Sequence, residues 1–339
     1  STTDDKDILN ADNLPLTFLQ LRGISIGNFN MNGNFKIEAA IRLMFHYKLD
    51  ILAIQEHTPW NRELFEGEIK SIERHCDKWG FFITISPLQI LIIDKQLTAC
   101  HRESKTFEDG RIITSRFEIS EGNFFTFIPV YGIPHSGGKE FGSLNDADPE
   151  DTRLKKLTAV RDRLYTIIRA AKDTNDILYV FGDLQDTPDN SKKIHYGSCR
   201  LPKHPLGIVS TCENFGLSCF IYKFLDEMEK PIISRRGAKG GRFIDGLYTC
   251  AAGLEKMTGI SIIDDYGIFS DHHLVINKID LGIVPFEISK ETEERIDFKK
   301  VMNIPVRIKP GDVHPTLNDS VFKELIFRYM QNYMRHCRM

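Results

Sequence analysis

The chain has 339 residues, 41% of them hydrophobic and 27% charged, and a formal net charge of −3. That much apolar material supports a substantial core and excludes a disordered, collagen-like or coiled-coil chain. The apolar runs Ile177–Phe181 and Leu91–Ile93 are too short to span a bilayer, and the near-neutral charge argues against a uniformly basic nucleic-acid binder. The polar, acidic opening Ser1–Asp12 lacks a basic-then-apolar leader, and the seven scattered cysteines form no C-x-x-C pair. Together these predict an intracellular protein in a reducing compartment, nuclear or cytoplasmic, without a disulfide framework or a structural zinc site and without a membrane partner.

In chain order, residues 1–22 read as a polar lead-in, and Gly23–Ile26 as a short strand ending in the Asn-rich turn Asn28–Asn34. Lys36–Tyr47 places Ile37, Ala40, Ile41, Met44 and Phe45 on one helical stripe. Asp50–Ile54 follows as a continuous apolar run typical of a strand buried on both faces. The strand–helix–strand order predicts an α/β fold. Phe81–Ser86, Ile90–Asp94, Arg111–Ile119 and Phe124–Val130 read as strands close together, as in a meander. Asp148 and Pro149 open a second helix, with Leu154, Leu157, Val160, Leu164, Ile167 and Ile168 as its buried stripe. Ile177–Phe181 is another central strand, Gly207–Leu217 loop and helix, and Arg242–Thr249 and Leu274–Asp280 late strands. Past residue 281 the texture changes to charged and Pro-rich segments, with an amphipathic pattern over Ser320–Met339. The expected organisation is a compact domain over residues 23–281 and an appendage over 282–339.

Carboxylates recur where buried strands stop. Glu56 follows Asp50–Ile54, Asp183 follows Ile177–Phe181 after one glycine, Asp245 sits in F-I-D-G-L, and Asp271-His272 precedes Leu274. Ligand sites of α/β folds gather at strand carboxyl ends, so these groups are candidates to converge. Hard oxygen ligands suit Mg²⁺. Local basic stretches lie at Arg153–Arg169, Lys192–His204 and Lys230–Arg242.

The blocks Ile26–Gly33 (I-G-N-F-N-M-N-G), Asp50–Glu56 (D-I-L-A-I-Q-E), Gly110–Phe117 (G-R-I-I-T-S-R-F), Val130–Gly137 (V-Y-G-I-P-H-S-G), Phe181–Gln185 (F-G-D-L-Q), Arg242–Leu247 (R-F-I-D-G-L) and Ser270–Val275 (S-D-H-H-L-V) stand in that order. In this the chain resembles the endonuclease/exonuclease/phosphatase superfamily of Mg²⁺-dependent phosphodiesterases. The resemblance implies a four-layer α/β sandwich, two mixed sheets face to face with helices outside. It also implies roles. Glu56 would hold the metal, Mg²⁺ with Mn²⁺ as a substitute, with Asn32 nearby and Asp271 as a second metal-associated carboxylate. Asn30 and Gln185 would orient the phosphate or nucleophile, and Asp183 would position or deprotonate the attacking water. Tyr131 would donate to the phosphate or leaving group. His272 would bind a phosphate oxygen or act as base, oriented by Asp245. Two residues depart from the family pattern: Gln185 and His135 each stand where asparagine is usual.

The basic stretch leading into Asp245 favours DNA, most simply double-stranded, as the partner, with Arg235, Arg236, Lys239, Arg242, Lys192 and Lys193 as contacts in a hairpin or loop beside the site. This stretch and the spacing from Asp245 to His272 are most similar to the endonuclease domains of LINE-type non-LTR retrotransposons, which implies a reverse transcriptase domain after the tail. The alternatives are an abasic-site endonuclease or 3′-exonuclease, with Phe220, Tyr222, Phe224 and Phe243 around a flipped sugar; an inositol- or lipid-phosphate phosphatase; and a binding module weakened at Gln185.

Overall fold

The computed structural model describes residues 16–33, 35–58, 64–134, 149–187, 193–197, 203–222, 230–237, 240–263 and 270–288. The first half runs β1 (Leu16–Asn30), α1 (Ile37–His46), β2 (Ile51–Gln55), α2 (Glu66–Lys78), β3 (Phe81–Ile85), β4 (Gln89–Asp94), β5 (His101–Phe107), β6 (Ile112–Ser120) and β7 (Asn123–Pro129). The second runs α3 (Pro149–Asp173), β8 (Ile177–Phe181), β9 (His195–Gly197), α4 (Ile208–Asn214), β10 (Ser218–Cys219), β11 (Arg235–Gly237), β12 (Gly240–Arg242), β13 (Leu247–Thr249), α5 (Ala251–Lys256), β14 (Met257–Ile263) and β15 (Leu274–Ile288).

Two six-stranded sheets form, in the orders β14-β15-β1-β2-β4-β3 and β10-β13-β8-β7-β6-β5, with a small third sheet β11-β12-β9. Both large sheets are mixed, since β1 runs parallel to β2 and β7 to β8 while the other pairs are antiparallel. Alternation of side chains across each strand explains the layers. Ile24, Ile26, Ile51, Ala53, Leu91 and Ile93 of the first sheet meet Ile113, Phe117, Phe125, Phe127, Tyr179 and Phe181 of the second. The opposite faces pack on helices: Phe29, Leu52 and Ile54 on α1 and α2, and Ile128, Val130, Leu178 and Val180 on α3 and α4. Three apolar interfaces between four layers make the expected α/β sandwich.

Several expectations change. The four runs expected as a meander divide between the sheets, β3 and β4 in the first and β6 and β7 in the second, because the chain crosses from one sheet to the other between β4 and β5, the edge strand of the second. The Arg242–Thr249 run breaks at 243–246, where Leu184 N–H donates to Ile244 O (2.9 Å) and Gly182 N–H to Gly246 O (3.2 Å), turning Asp245 inward. The α3 stripe holds at Leu157, Val160, Leu164, Ile167 and Ile168 but not at its start: Leu154 is 40% exposed, whereas Arg153 is buried and donates from Nε to Pro134 O (3.0 Å). Arg153 thus ties the helix to the loop after Tyr131 and leaves the set of surface cations. The β1–β15 ladder runs from Leu16↔Ile288 to Asn28↔Val275, past both residue 23 and residue 281. His135, the Asp148 cap and the Ser320–Met339 helix lie outside the described residues.

Gly182, between β8 and Asp183, has φ +141, and a methyl there would overlap the Val130 carbonyl oxygen. Gly182→Ala is therefore expected to lose at least about 2 kcal/mol of stability. Urea unfolding without metal measures this; an unchanged midpoint would contradict the close approach.

Candidate active site

The site gathers at the carboxyl ends of β1, β2, β7 and β8, as the strand-end acids predict. Asn30 ends β1 on its inward face, and Glu56 follows β2. Tyr131 lies just past β7, and Asp183 and Gln185 just past β8. Asp245 and His272 arrive from the irregular segments before β13 and β15.

Hydrogen bonds join these residues into one cluster. Asn30 Nδ2 donates to both Glu56 Oε1 and Asp183 Oδ2, each at 2.8 Å. Tyr131 O–H donates to Glu56 Oε1 (2.7 Å). Gln185 donates twice to Asp183, from Nε2 to Oδ2 (2.8 Å) and from its backbone N–H to Oδ1 (3.2 Å). The extra methylene of Gln185 thus lets the amide fold back onto the carboxylate. His272 Nδ1 sits 3.0 and 3.1 Å from the two oxygens of Asp245, and its Nε2 lies 3.7 Å from Asp183 Oδ2. Asp183, Asp245 and His272 are buried, with ligand-type atoms all within 4.8 Å of one another. Glu56 and Asp271 are only partly buried, so the cluster opens to solvent on their side.

Burial pushes Asp183 up, and Asp245 adds to this, against the opposing pull of His272 and Asn30. For His272 burial disfavours the charged form, but Asp245 and Asp183 outweigh it and raise the imidazole from 6.5 to about 9. It is therefore an imidazolium at neutral pH, an anion-binding donor held by Asp245. Burial, Glu56 and Asp183 push the Tyr131 phenol well above its usual value, so it remains a neutral O–H donor.

Glu56, Gln185 and Asn32 all take positive φ, between 48 and 49°. The left-handed region costs a non-glycine residue about 1 kcal/mol or more, and such strain concentrates at functional sites. The turn after β1 docks on Glu56, with Gly33 N–H donating to Glu56 O (2.7 Å) and Asn32 N–H to Asn30 Oδ1 (2.8 Å). Asn32 is thereby held beside Glu56. The donors at the open side are oxygens, while Cys76, Cys100, Cys212 and Cys219 are buried in the core. This set fits a hard cation such as Mg²⁺ or Mn²⁺.

The expected basic hairpin exists as β11 and β12. Arg235 does not project freely from it: Nε donates to Asp271 Oδ2 (2.7 Å), and its backbone bridges His272. Burial alone would raise Asp271, but His272 and Arg235 outweigh it and hold the carboxyl below its ordinary value. Arg236 is exposed on β11, and Arg242 and Lys193 are partly buried. Lys192 and Lys239 lie outside the described residues. Along α3, Arg163 pairs with Glu108 (2.8 Å) and Arg161 with Asp162 (2.6 Å). The aromatics considered for a sugar pocket serve other ends. Phe220 and Phe243 are buried in the core, and Tyr222 bonds the Tyr248 hydroxyl (2.7 Å). Phe224 is outside the described residues.

Three contributors escape sequence reasoning. Asn28 donates from Nδ2 to Asp245 Oδ1 (3.4 Å). Buried Arg111 lies 4.9 Å from the Tyr131 ring centre and donates to Gly132 O (2.9 Å), fixing the segment that carries the phenol. Ser234 Oγ accepts from the backbone N–H groups of Ile244 (2.9 Å) and Asp245 (3.0 Å), while its carbonyl accepts from His273 N–H (2.6 Å). Ser234 thus joins the two segments that bring Asp245 and His272 together. Arg111 at least stands next to a glycine in one of the ordered blocks; nothing in the sequence marks Ser234.

No family model and no curated protein sequence matches the chain. Solved structures do. An AP endonuclease from Archaeoglobus fulgidus is 16% identical with a TM-score of 0.55, over 76% of this chain and 100% of that one. The AP endonuclease LMAP from Leishmania major is 13% identical with a TM-score of 0.58, over 76% and 88%. The 3′-5′ exonuclease NExo from Neisseria meningitidis is 14% identical with a TM-score of 0.53, over 76% and 100%. The chain thus shares the two-sheet α/β sandwich fold of these AP endonucleases and this exonuclease.

Proposed function

We propose that the protein is a metal-dependent phosphodiesterase that hydrolyses the DNA backbone as a nicking endonuclease. The observation that carries this is the buried Asp183, held by the Asn30 and Gln185 amides and set against the Asp245–His272 pair, beside the open Glu56 carboxylate. Phosphodiester hydrolysis needs an aligned water, a destination for its proton and neutralisation of charge at the phosphate. Asp183 orients the water and takes its proton. The His272 imidazolium donates from Nε2 to a non-bridging oxygen, and Asp245 holds the ring. Tyr131 donates its O–H to the phosphate or the leaving oxygen. Glu56, Asn32 and Asp271 are the side chains we assign to a divalent cation, which when bound supplies charge neutralisation at the phosphate and leaving oxygens.

A Neisseria 3′ phosphatase, 14% identical and of this fold, is bound to a product DNA hairpin, which supports a DNA substrate. The hairpin β11–β12, whose Arg242 leads into Asp245 and whose Arg235 bonds Asp271, supports target-site nicking of the retrotransposon kind, in a parent chain that carries a reverse transcriptase. The AP endonuclease neighbours favour a second reading, incision at abasic sites.

The test is nicking of supercoiled plasmid in Mg²⁺, Mn²⁺ and EDTA. Wild type is expected to nick with either ion and not in EDTA, and Glu56→Ala to lose activity by about 10²-fold or more, as when a developing charge loses its stabiliser. An oligonucleotide with one abasic site tests the second reading. Retention of plasmid without cleavage in any metal would instead mark a binding module, and phosphate release from an inositol phosphate a phosphatase.

A further inference from the structure

The small sheet β11-β12-β9 has two unlike faces. Its register pairs Arg235 with Arg242 and Arg242 with His195; the next row pairs Arg236 with Gly241 and Gly241 with Tyr196. Side chains alternate across a strand, so Arg235, Arg242 and His195 share one face and Arg236 and Tyr196 the other. The first face belongs to the active site, since Arg235 bonds Asp271. The opposite face points away from it. There Tyr196 is 43% exposed, outside every apolar cluster of the core. A methyl at position 241 would lie 2.6 Å from Tyr196 Cε1, so the ring rests across the bare glycine, with Arg236 on its far side. Exposed Tyr165, by contrast, packs against Phe215.

We propose that Tyr196 is a stacking platform for a nucleobase of the substrate strand, with Gly241 leaving the space for the ring and Arg236 meeting the neighbouring phosphate. This rests on the nucleic-acid reading above and names a subsite for it. An aromatic ring beside a guanidinium is the pairing that holds a nucleic-acid strand through base faces and backbone together. The arginines on both faces complement a polyphosphate. The sheet is also coupled to the reacting centre: Arg236 N–H donates to Asp271 O (2.8 Å) and His273 N–H to Ser234 O (2.6 Å). The order β9, β12, β11 and the His272 segment separates the Tyr196 and His272 backbones by three strand spacings, roughly 14 Å or about four base-pair steps. The stacked base therefore lies several nucleotides from the cut, which makes Tyr196 a determinant of where the strand is held.

The experiment is fluorescence anisotropy in EDTA with a labelled single-stranded oligonucleotide and with a matching strand that carries abasic sites throughout. Tyr196→Ala is expected to bind the base-bearing strand about 10-fold more weakly than wild type, and Tyr196→Phe to bind it within about 2-fold, as stacking by the ring requires. On the abasic strand the alanine variant and wild type should bind alike. An alanine variant that binds bases as wild type does, or loses equally on both strands, would overturn the platform. Failure of wild type to bind either strand would also overturn the platform, and only if wild type in addition fails to nick or retain plasmid in metal would the nucleic-acid reading itself fall. A wild-type dimer in sedimentation that Tyr196→Ala dissociates, with unchanged oligonucleotide binding, would assign the face to a second copy and also overturn the proposal.

Discussion

Asp183→Asn is expected to lower metal-supported nicking by about 10²–10⁴-fold, the range removed with a general acid–base group, while leaving the fold at least as stable as wild type. Both halves follow from the same surroundings. The carboxylate takes two amide donors on Oδ2 and a backbone N–H on Oδ1, so it is positioned to accept and has no freedom to turn away. Asparagine nearly matches its shape but has no basic oxygen for the proton of water. On stability, burial is the largest influence on Asp183 and acts against its charge. A carboxyl raised above its unfolded value of 3.8 contributes stability while protonated and loses it as pH rises through the folded value. The charged carboxylate therefore carries a burial cost that the neutral amide of the variant does not. Nicking rates and thermal unfolding in EDTA at pH 7 check the pair of outcomes. A variant that nicks within about 10-fold of wild type would remove Asp183 from the base role.

This opposition of activity and stability also explains which parts of the protein are legible in its sequence. Strands buried on both faces leave continuous apolar runs, so Ile51–Gln55 and Ile177–Phe181 stand out, and so do the polar residues after them, Glu56 and Asp183. The motif residues Asn30, Tyr131, Gln185, Asp245 and His272 meet with those two in one hydrogen-bonded cluster. Elements held by pairing rather than by a stripe leave no such trace. Helix α2 buries only Ile72 and Cys76, and β5 buries no residue fully. Three-residue strands such as β9 and β11 exist because a neighbour supplies their hydrogen bonds. Only the first residue of the α3 stripe misleads, because Arg153 spends the buried position beside Leu154 on a carbonyl, which hydrophobic spacing cannot register. Division of the strand runs between two sheets depends on the crossing between β4 and β5, not on any local pattern. Ser234 carries no signal because its work is done by one hydroxyl and one carbonyl, meeting partners far along the chain.

His272→Gln is expected to lower nicking by about 10²-fold, and to abolish a pH dependence of stability that wild type shows only above neutrality. The imidazole is raised from 6.5 in the unfolded chain to about 9 in the fold. Its contribution is therefore fully present below pH 6.5 and disappears as pH rises through about 9. A shift of that size corresponds to roughly 3 kcal/mol. Asp186 does not confuse the window: burial raises it from 3.8 only to about 6, so its loss is finished at lower pH. Asp245→Asn should act through the ring, because Asp245 is the largest influence favouring the charged form. Without it the imidazolium deprotonates earlier, so the stability loss should be smaller and finished at lower pH than in wild type, and the decline in nicking should begin at lower pH. Urea unfolding in EDTA between pH 6 and 10, alongside nicking rates over the same range, measures both. If the three proteins lose stability in parallel across that range, His272 is not the group that titrates. If nicking by wild type instead rises as the ring loses its proton, His272 is the base and Asp183 the positioning carboxylate. Those alternatives differ in the sign of one slope, which is why the pH profile separates them when a single-pH loss of activity does not.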